Sequence, residues 1–158
     1  MEYEYSFSVT SIDEYLKYCR KNKYKLVSKI KQTRTIYRNK NKTMARITIE
    51  EGKRTVKKLD FKEDKLTNQD LNIRKESASM SFKNIDEIEN ILNFLEYEKD
   101  NTLIRVRRIY EKDNVKFEID EYQYPNSNFV VAIEGDKKQT DLVYKGLSEI
   151  NAMYKKQE

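Results

Sequence analysis

The strict alternation of polar and apolar residues over the first nine positions is the feature that most constrains what this chain can fold into. Successive side chains of a β-strand point to opposite faces, so Tyr3, Tyr5 and Phe7 share one face while Glu2 and Glu4 lie side by side on the other. Two steps of about 3.3 Å along a strand leave these carboxylates close enough to hold one divalent cation. The alternation therefore predicts a β-strand whose polar face is either a solvated edge or half of a cation site.

Seven later segments also place charged side chains on one face of a predicted strand and apolar side chains on the other. Helices cover only the apolar faces, so the charged faces meet either solvent on an open sheet or each other inside a barrel. Closing eight strands removes exposed edges and leaves an interior that can hold a small ligand. We therefore predict an α+β fold in which a closed eight-stranded antiparallel β-barrel forms a tunnel and the helices pack outside.

Two sequence matches at a common offset of 73 residues predict an internal duplication. Residues 81–87 match residues 8–14, and residues 107–110 match residues 34–37. Each half has the predicted order strand, helix and three strands. The prediction is one domain over residues 1–158, with halves at about 1–62 and 71–136 and a C-terminal helix at about 140–154.

The composition narrows the chemistry that such an interior can perform. The chain has no histidine and a single cysteine, Cys19, which excludes histidine-based catalysis, histidine-ligated zinc and an internal disulfide. Carboxylate chemistry with hard cations such as Mg²⁺ or Mn²⁺ remains. A formal charge of +5, from 32 basic and 27 acidic residues, favours an anionic partner. No signal peptide or membrane span is recognisable, so we expect a cytoplasmic protein without a membrane partner.

The mixture of charges predicted for the interior indicates a metal and polyphosphate site. Arginine makes forked contacts to phosphate oxygens, lysine adds compact positive charge, and carboxylates repel phosphate unless a divalent cation lies between them. The predicted phosphate-binding residues are Arg46, Lys58, Lys62, Arg74, Arg105 and Arg107. The predicted carboxylates are Glu2, Glu4, Glu76, Asp120 and Glu134, and the candidates to position or deprotonate an attacking water or hydroxyl are Glu4, Glu76 and Asp120.

The ordered set of these motifs resembles the CYTH superfamily of triphosphate tunnel metalloenzymes. Residues 2–6 are similar to the Glu-x-Glu-x-Lys signature of that family, with Ser6 in place of its lysine. The resemblance continues over residues 59–62, 73–76, 105–107, 119–122 and 129–134, in the same order as in the family. It implies Glu2, Glu4 and Glu134 as metal ligands near Glu76 and Asp120, and Arg46, Lys62, Arg74, Arg105 and Arg107 as triphosphate contacts.

Several functions remain open at this point. The leading hypothesis is a metal-dependent phosphohydrolase that acts on tripolyphosphate or on a nucleoside or thiamine triphosphate. A class IV adenylyl cyclase would need the same groups, with a ribose hydroxyl in place of water. Ser6 and Ala132 replace a lysine and a glutamate of the family pattern, which favours a non-catalytic binder of a triphosphate, a nucleotide or a 5′-triphosphate RNA end. General nucleic-acid binding by a basic open sheet is the last alternative, and either a monomer or a homodimer is expected.

Overall fold

A computed structural model describes residues 2–65 and 69–157 of the chain. The strands in these ranges are β1 (Glu2–Val9), β2 (Lys25–Arg38), β3 (Thr43–Glu51), β4 (Thr55–Glu63), β5 (Leu71–Arg74), β6 (Met80–Ser81), β7 (Glu98–Lys112), β8 (Val115–Tyr124) and β9 (Asn128–Gly135). The helices are α1 (Asp13–Lys21), α2 (Ile85–Phe94), α3 (Lys137–Gly146) and α4 (Ser148–Tyr154). Within the same ranges, the helices lack the combined length and apolar character needed to cross a bilayer.

All strands join one curled antiparallel sheet with the order β5-β1-β9-β8-β7-β2-β3-β4-β6. The helices pack outside this sheet, so the predicted α+β tunnel-like fold is confirmed. The prediction of a closed barrel of eight strands is wrong in two respects. The described part of the chain has nine strands, and their hydrogen-bonded order is open between β5 and β6.

At the opening, one segment of the chain pairs with both edges of the sheet. β5 pairs with β1, and β6, which follows it in the chain, pairs with β4. Between them, Glu76 forms an isolated bridge to Lys62, and the N–H of Ser77 donates to the carbonyl of Phe61 at 2.9 Å. A segment that passes from one edge to the other cannot continue as one regular strand, so it forms the two short strands β5 and β6.

Two hydrophobic clusters explain why the charged faces of the strands point inward. One cluster packs α1 against β1, β8 and β9 through residues such as Tyr15, Phe117 and Val131. The other packs α2 against β2, β3 and β4, with Leu92 and Ile47 among its buried members. Because the helices cover the apolar face of each strand, the alternating charged residues face the concave side of the sheet.

The C-terminal helices secure the outer face of β1. The segment predicted as one helix at 140–154 forms α3 and α4, which are separated at Leu147. Asp141 Oδ1 on α3 accepts hydrogen bonds from the hydroxyls of Tyr3 at 2.5 Å and Tyr5 at 2.8 Å. The ring of Tyr5 also stacks on Tyr144 at a centroid distance of 4.0 Å. These contacts hold the tyrosine face of β1 against the helices, so its other face points toward the concave side of the sheet. The internal duplication stays a prediction.

Candidate functional site

The concave side of the sheet encloses a cavity of about 240 Å³ that is lined almost entirely by charged side chains. Its basic residues are Arg34, Arg46, Lys62, Arg74, Arg105, Arg107 and Lys116. Its acidic residues are Glu2, Glu4, Asp60, Glu76, Glu118, Asp120 and Glu134. The remaining lining residues are Ser6, Tyr122, Val130 and Ala132. The structure therefore brings together every residue predicted for the site except Lys58.

Lys58 requires a correction, because within the described residues it does not line the cavity. Its Nζ lies 2.5 Å from Glu50 Oε1, and 39% of its side chain is exposed. Alternation along a strand predicts which face a side chain occupies, but not its depth along the tunnel. Lys58 lies opposite Ser81 and precedes Lys62 on β4 by four residues. This separation is about 13 Å along the strand, too far to reach the residues around Lys62.

Glu2, Glu4 and Glu134 form a compact acidic group at one side of the cavity. One carboxylate oxygen from each lies within 4.8 Å of the others, and Glu4 is the direct cross-strand partner of Glu134. Burial, with added repulsion from the neighbouring carboxylates, raises the pKa of Glu4 to about 8, against the attraction of Lys62. Three converging oxygen donors that repel each other when ionised fit a hard divalent cation such as Mg²⁺ or Mn²⁺.

Two lysines partly neutralise this acidic group. Lys62 Nζ donates to Glu2 Oε1 at 2.5 Å and lies 3.8 Å from both Glu4 and Glu76. On the other side, Lys116 Nζ lies 2.6 Å from Glu134 Oε1. A bound cation would compete with these ammonium groups for the same oxygens, and the freed lysines would then be available to an anion.

Arg46 and Arg107 are each held by two carboxylates. Arg46 donates to both oxygens of Asp60, at 2.9 and 2.5 Å, and to Glu76 at 2.6 Å. Arg107 contacts Asp120 and Glu118 in the same manner. Burial works to lower the pKa of Arg107, but the two carboxylates raise it well above its ordinary value. These arginines are oriented toward the cavity before any ligand arrives.

Arg105 lies in a row of neutral and charged partners that crosses five strands, from β8 to β4. Its Nε donates to Gln32 Oε1 at 2.8 Å, and its Nη1 donates to the Tyr122 hydroxyl at 2.8 Å. Gln32 in turn donates to Glu50 at 2.8 Å, and Glu50 pairs with Lys58. Lys58 thus contacts the site through a chain of hydrogen bonds rather than directly.

Arg34 lines the cavity but was not predicted as a site residue. It lies on β2 between Thr48 of β3 and Leu103 of β7. The parity of Tyr37, whose side chain is buried under α2, was the signal that could have placed Arg34 on the inner face. Apolar Ile36 shares the face of Arg34 and obscures the alternation.

The two departures from the family pattern meet inside the cavity. Ser6 and Ala132 are direct cross-strand partners on β1 and β9, and both line the cavity beside the acidic group. Both side chains are small, at positions where the pattern that the sequence resembles has a lysine and a glutamate. Both differences from that pattern therefore lie in the cavity lining.

Comparison with known proteins shows a shared fold. No protein-family model matches the chain, and no curated protein matches it. Among solved structures, the PH1012 protein of Pyrococcus horikoshii is similar with a TM-score of 0.74 and 14% identity, over 96% of this chain and 88% of that one.

Two further structures with the same fold have different descriptions. HpAC1 of Hippeastrum, a candidate adenylyl cyclase described as having a dominant triphosphatase activity, gives a TM-score of 0.69 at 14% identity, over 98% of this chain and 90% of that one. A chain of the Schizosaccharomyces pombe Mediator head module gives 0.61 at 14%, over 98% of both chains. Identities this low demonstrate a shared fold and leave the activity to be argued from the site.

Proposed function

We propose that the cavity binds the triphosphate group of a small molecule and that the protein hydrolyses it together with a divalent cation, Mg²⁺ or Mn²⁺, at Glu2, Glu4 and Glu134. The observation that carries this proposal is the pairing of a three-carboxylate group with converging arginines inside one cavity of about 240 Å³. When bound, the cation would neutralise and orient the phosphate chain. Neither charge set is stable alone in such a space, because buried charges need partners.

The basic residues have the geometry that a phosphate chain requires. Arg46, Arg105 and Arg107 line the cavity. Arg46 and Arg107 donate to carboxylates, which occupy the positions that phosphate oxygens would take, whereas Arg105 donates to Gln32 and Tyr122. Binding is then an exchange of one anion for another at the same forks. Lys62 and Arg74 complete the proposed set of phosphate contacts, beside the acidic group.

The proposed catalytic carboxylates are Glu4, Glu76 and Asp120. Asp120 is only 2% exposed and is held twice by Arg107, whereas 29% of the Glu76 side chain is open. Glu76 also lies where the sheet is open, next to Lys62. It is therefore the best placed of the three to hold an attacking water, once phosphate has taken its place on Arg46.

We propose hydrolysis rather than cyclisation because a protein of similar fold is described as a triphosphatase. HpAC1 is described as having a dominant triphosphatase activity although it was considered an adenylyl cyclase. An adenylyl cyclase would use the same phosphate and cation contacts with a ribose hydroxyl as nucleophile. Cyclisation of ATP remains the second candidate.

A metal-dependent activity screen tests the proposal. Purified protein is incubated with tripolyphosphate, thiamine triphosphate or ATP, with Mg²⁺, Mn²⁺ or excess chelator, and phosphate, diphosphate and cyclic AMP are measured. We expect phosphate release that the chelator abolishes and that Glu4→Gln reduces at least tenfold. Tight binding of a triphosphate without turnover would instead establish the non-catalytic alternative, which Ser6 and Ala132 favour. Folded protein that neither binds nor hydrolyses any of the three would refute both.

A further inference from the structure

Arg34 differs from the other basic residues of the cavity in its electrostatic surroundings. Within the described residues, each of the others has a carboxylate oxygen within 4 Å, and even the weakest pairs, Arg74 with Glu4 and Arg105 with Asp120, lie at 3.6 and 3.7 Å. In the same ranges Arg34 forms no ion pair. Its guanidinium therefore has no carboxylate in contact among these residues, although Asp60 attracts it through space.

The position of Arg34 is nevertheless well defined. Its Nε donates to the hydroxyl of Thr48 at 3.0 Å, and Thr48 is only 5% exposed. This bond engages Nε, and the terminal nitrogens of Arg34 form no hydrogen bond to other described residues. The side chain is thus held by a neutral partner and lines the cavity with its terminal donors unused.

Three arginines repel this guanidinium, and Asp60 attracts it. Burial, followed by repulsion from Arg105, Arg46 and Arg107, lowers the pKa of Arg34 well below its ordinary value. Arg105 adds a second unmet donor, because its Nη2 is fully buried and has no hydrogen-bond partner among the described residues. Two arginines with unused donors in one cavity are costly without an anion between them.

We infer that Arg34 and Arg105 form an anion subsite that takes one phosphate group of the ligand. This inference rests on the proposed function and deepens it. It assigns Arg34 to the phosphate site and predicts that the contact at Arg34 is stronger than those at Arg46 and Arg107. At Arg46 and Arg107 a phosphate must displace a carboxylate, whereas at Arg34 it displaces none. The phosphate at this subsite therefore contributes more to affinity than one held only at the paired arginines.

The test uses Arg34→Gln with Arg108→Gln as the matched control. Arg108 lies on the same sheet, but it pairs with Glu121 at 3.3 Å and does not line the described cavity. Thermal unfolding of the ligand-free proteins and calorimetric titration with tripolyphosphate are measured for both variants and for the wild type. We expect Arg34→Gln to unfold at an equal or higher temperature than the wild type, because a repelled charge is removed, and to bind tripolyphosphate at least tenfold more weakly. Arg108→Gln should bind as the wild type does.

Three outcomes separate this inference from the proposed function. If the wild type binds tripolyphosphate and Arg34→Gln binds it within twofold, the subsite is refuted while the proposed function stands. If Arg34→Gln lowers the unfolding temperature by several degrees, Arg34 has a structural role instead. If the wild type does not bind tripolyphosphate, the proposed function fails. The subsite is then tested with inorganic phosphate at millimolar concentration. If the subsite exists, phosphate raises the unfolding temperature of the wild type, raises that of Arg34→Lys less, and leaves that of Arg34→Gln unchanged.

Discussion

Arg107 and Asp120 lie directly opposite each other on β7 and β8 and share two hydrogen bonds, of 2.8 and 2.9 Å, inside the cavity. The sequence analysis predicts a phosphate contact for Arg107 and a catalytic role for Asp120. The structure adds that the two residues form an ion pair with each other. Ligand binding must therefore break or share this pair, and the pair also contributes to the stability of the ligand-free protein.

Replacing Arg107 tests that double role. Arg107→Ala leaves Asp120 and Glu118 buried without their main partner, and breaking a buried pair of this kind costs about 3 to 5 kcal/mol. We expect a decrease of that size in the free energy of unfolding, measured by urea denaturation. Lys17→Ala, whose pair with Glu14 is exposed on α1, should lose about 1 kcal/mol or less. Equal losses for the two variants would contradict a buried role for Arg107.

The acidic group predicts a measurable cation affinity in the absence of any phosphate compound. Glu4 lies at the centre of this group, because it is the cross-strand partner of Glu134 and follows Glu2 by two residues. We expect Glu4→Gln to weaken Mn²⁺ binding by about tenfold or more, as loss of a contact in a metal site does. Calorimetric titration provides the measurement, and Glu14→Gln on α1 provides a control. Unchanged Mn²⁺ affinity in Glu4→Gln would exclude this group as the cation site.

Replacing Ser6 by lysine should strengthen tripolyphosphate binding. Ser6→Lys would add an ammonium group beside Ala132, where the cavity has open space and the family resemblance implies a phosphate contact. A hydrogen bond to a charged group contributes about 1.5 to 3 kcal/mol, which corresponds to roughly tenfold to a hundredfold tighter tripolyphosphate binding. Ser8→Lys is the control, since Ser8 has the same parity on β1 but does not line the described cavity. Equal gains in both variants would indicate a nonspecific charge effect.

Glu118 predicts a specific pH dependence of stability. Burial opposes its ionisation, but Arg107 and Lys116 lower the pKa of Glu118 from 4.5 to about 2. A carboxyl whose pKa is depressed by folding contributes stability above its unfolded pKa and loses it as the pH falls through the folded value. The difference in unfolding free energy between the wild type and Glu118→Gln should therefore be full above pH 4.5 and should shrink toward pH 2. Urea denaturation at intervals between pH 6 and pH 2.5 measures it, and a difference that does not depend on pH would contradict the ionised state.

Local alternation was sufficient to identify most of the charged residues that line the cavity. Glu2, Glu4, Arg105, Arg107 and Glu134 each occupy the face that strand parity predicts, because that parity is determined within a few residues of the chain. The ordered motifs also indicated a tunnel-like sheet with external helices. Neither result required knowledge of which strands pair.

Relationships between strands could not be predicted in the same way. Lys58 has the correct parity but lies at the wrong depth, and Arg34 was hidden by an apolar neighbour on its own face. The opening of the sheet between β5 and β6 depends on one segment that contacts both β1 and β4. These features follow from register and curvature, which involve residues far apart in the chain.

By itself the sequence determined which side chains face inward, and hence that charges of both signs share one interior. Only the tertiary structure decided how these charges pair, with Arg107 held by Asp120 and Arg34 held by Thr48 without an ion pair in the described part of the chain. The physical reason is that the face of a strand is a local property with a period of two residues. The partner of a buried charge depends instead on distances of a few ångströms between strands, and these are established only when the whole sheet has curled.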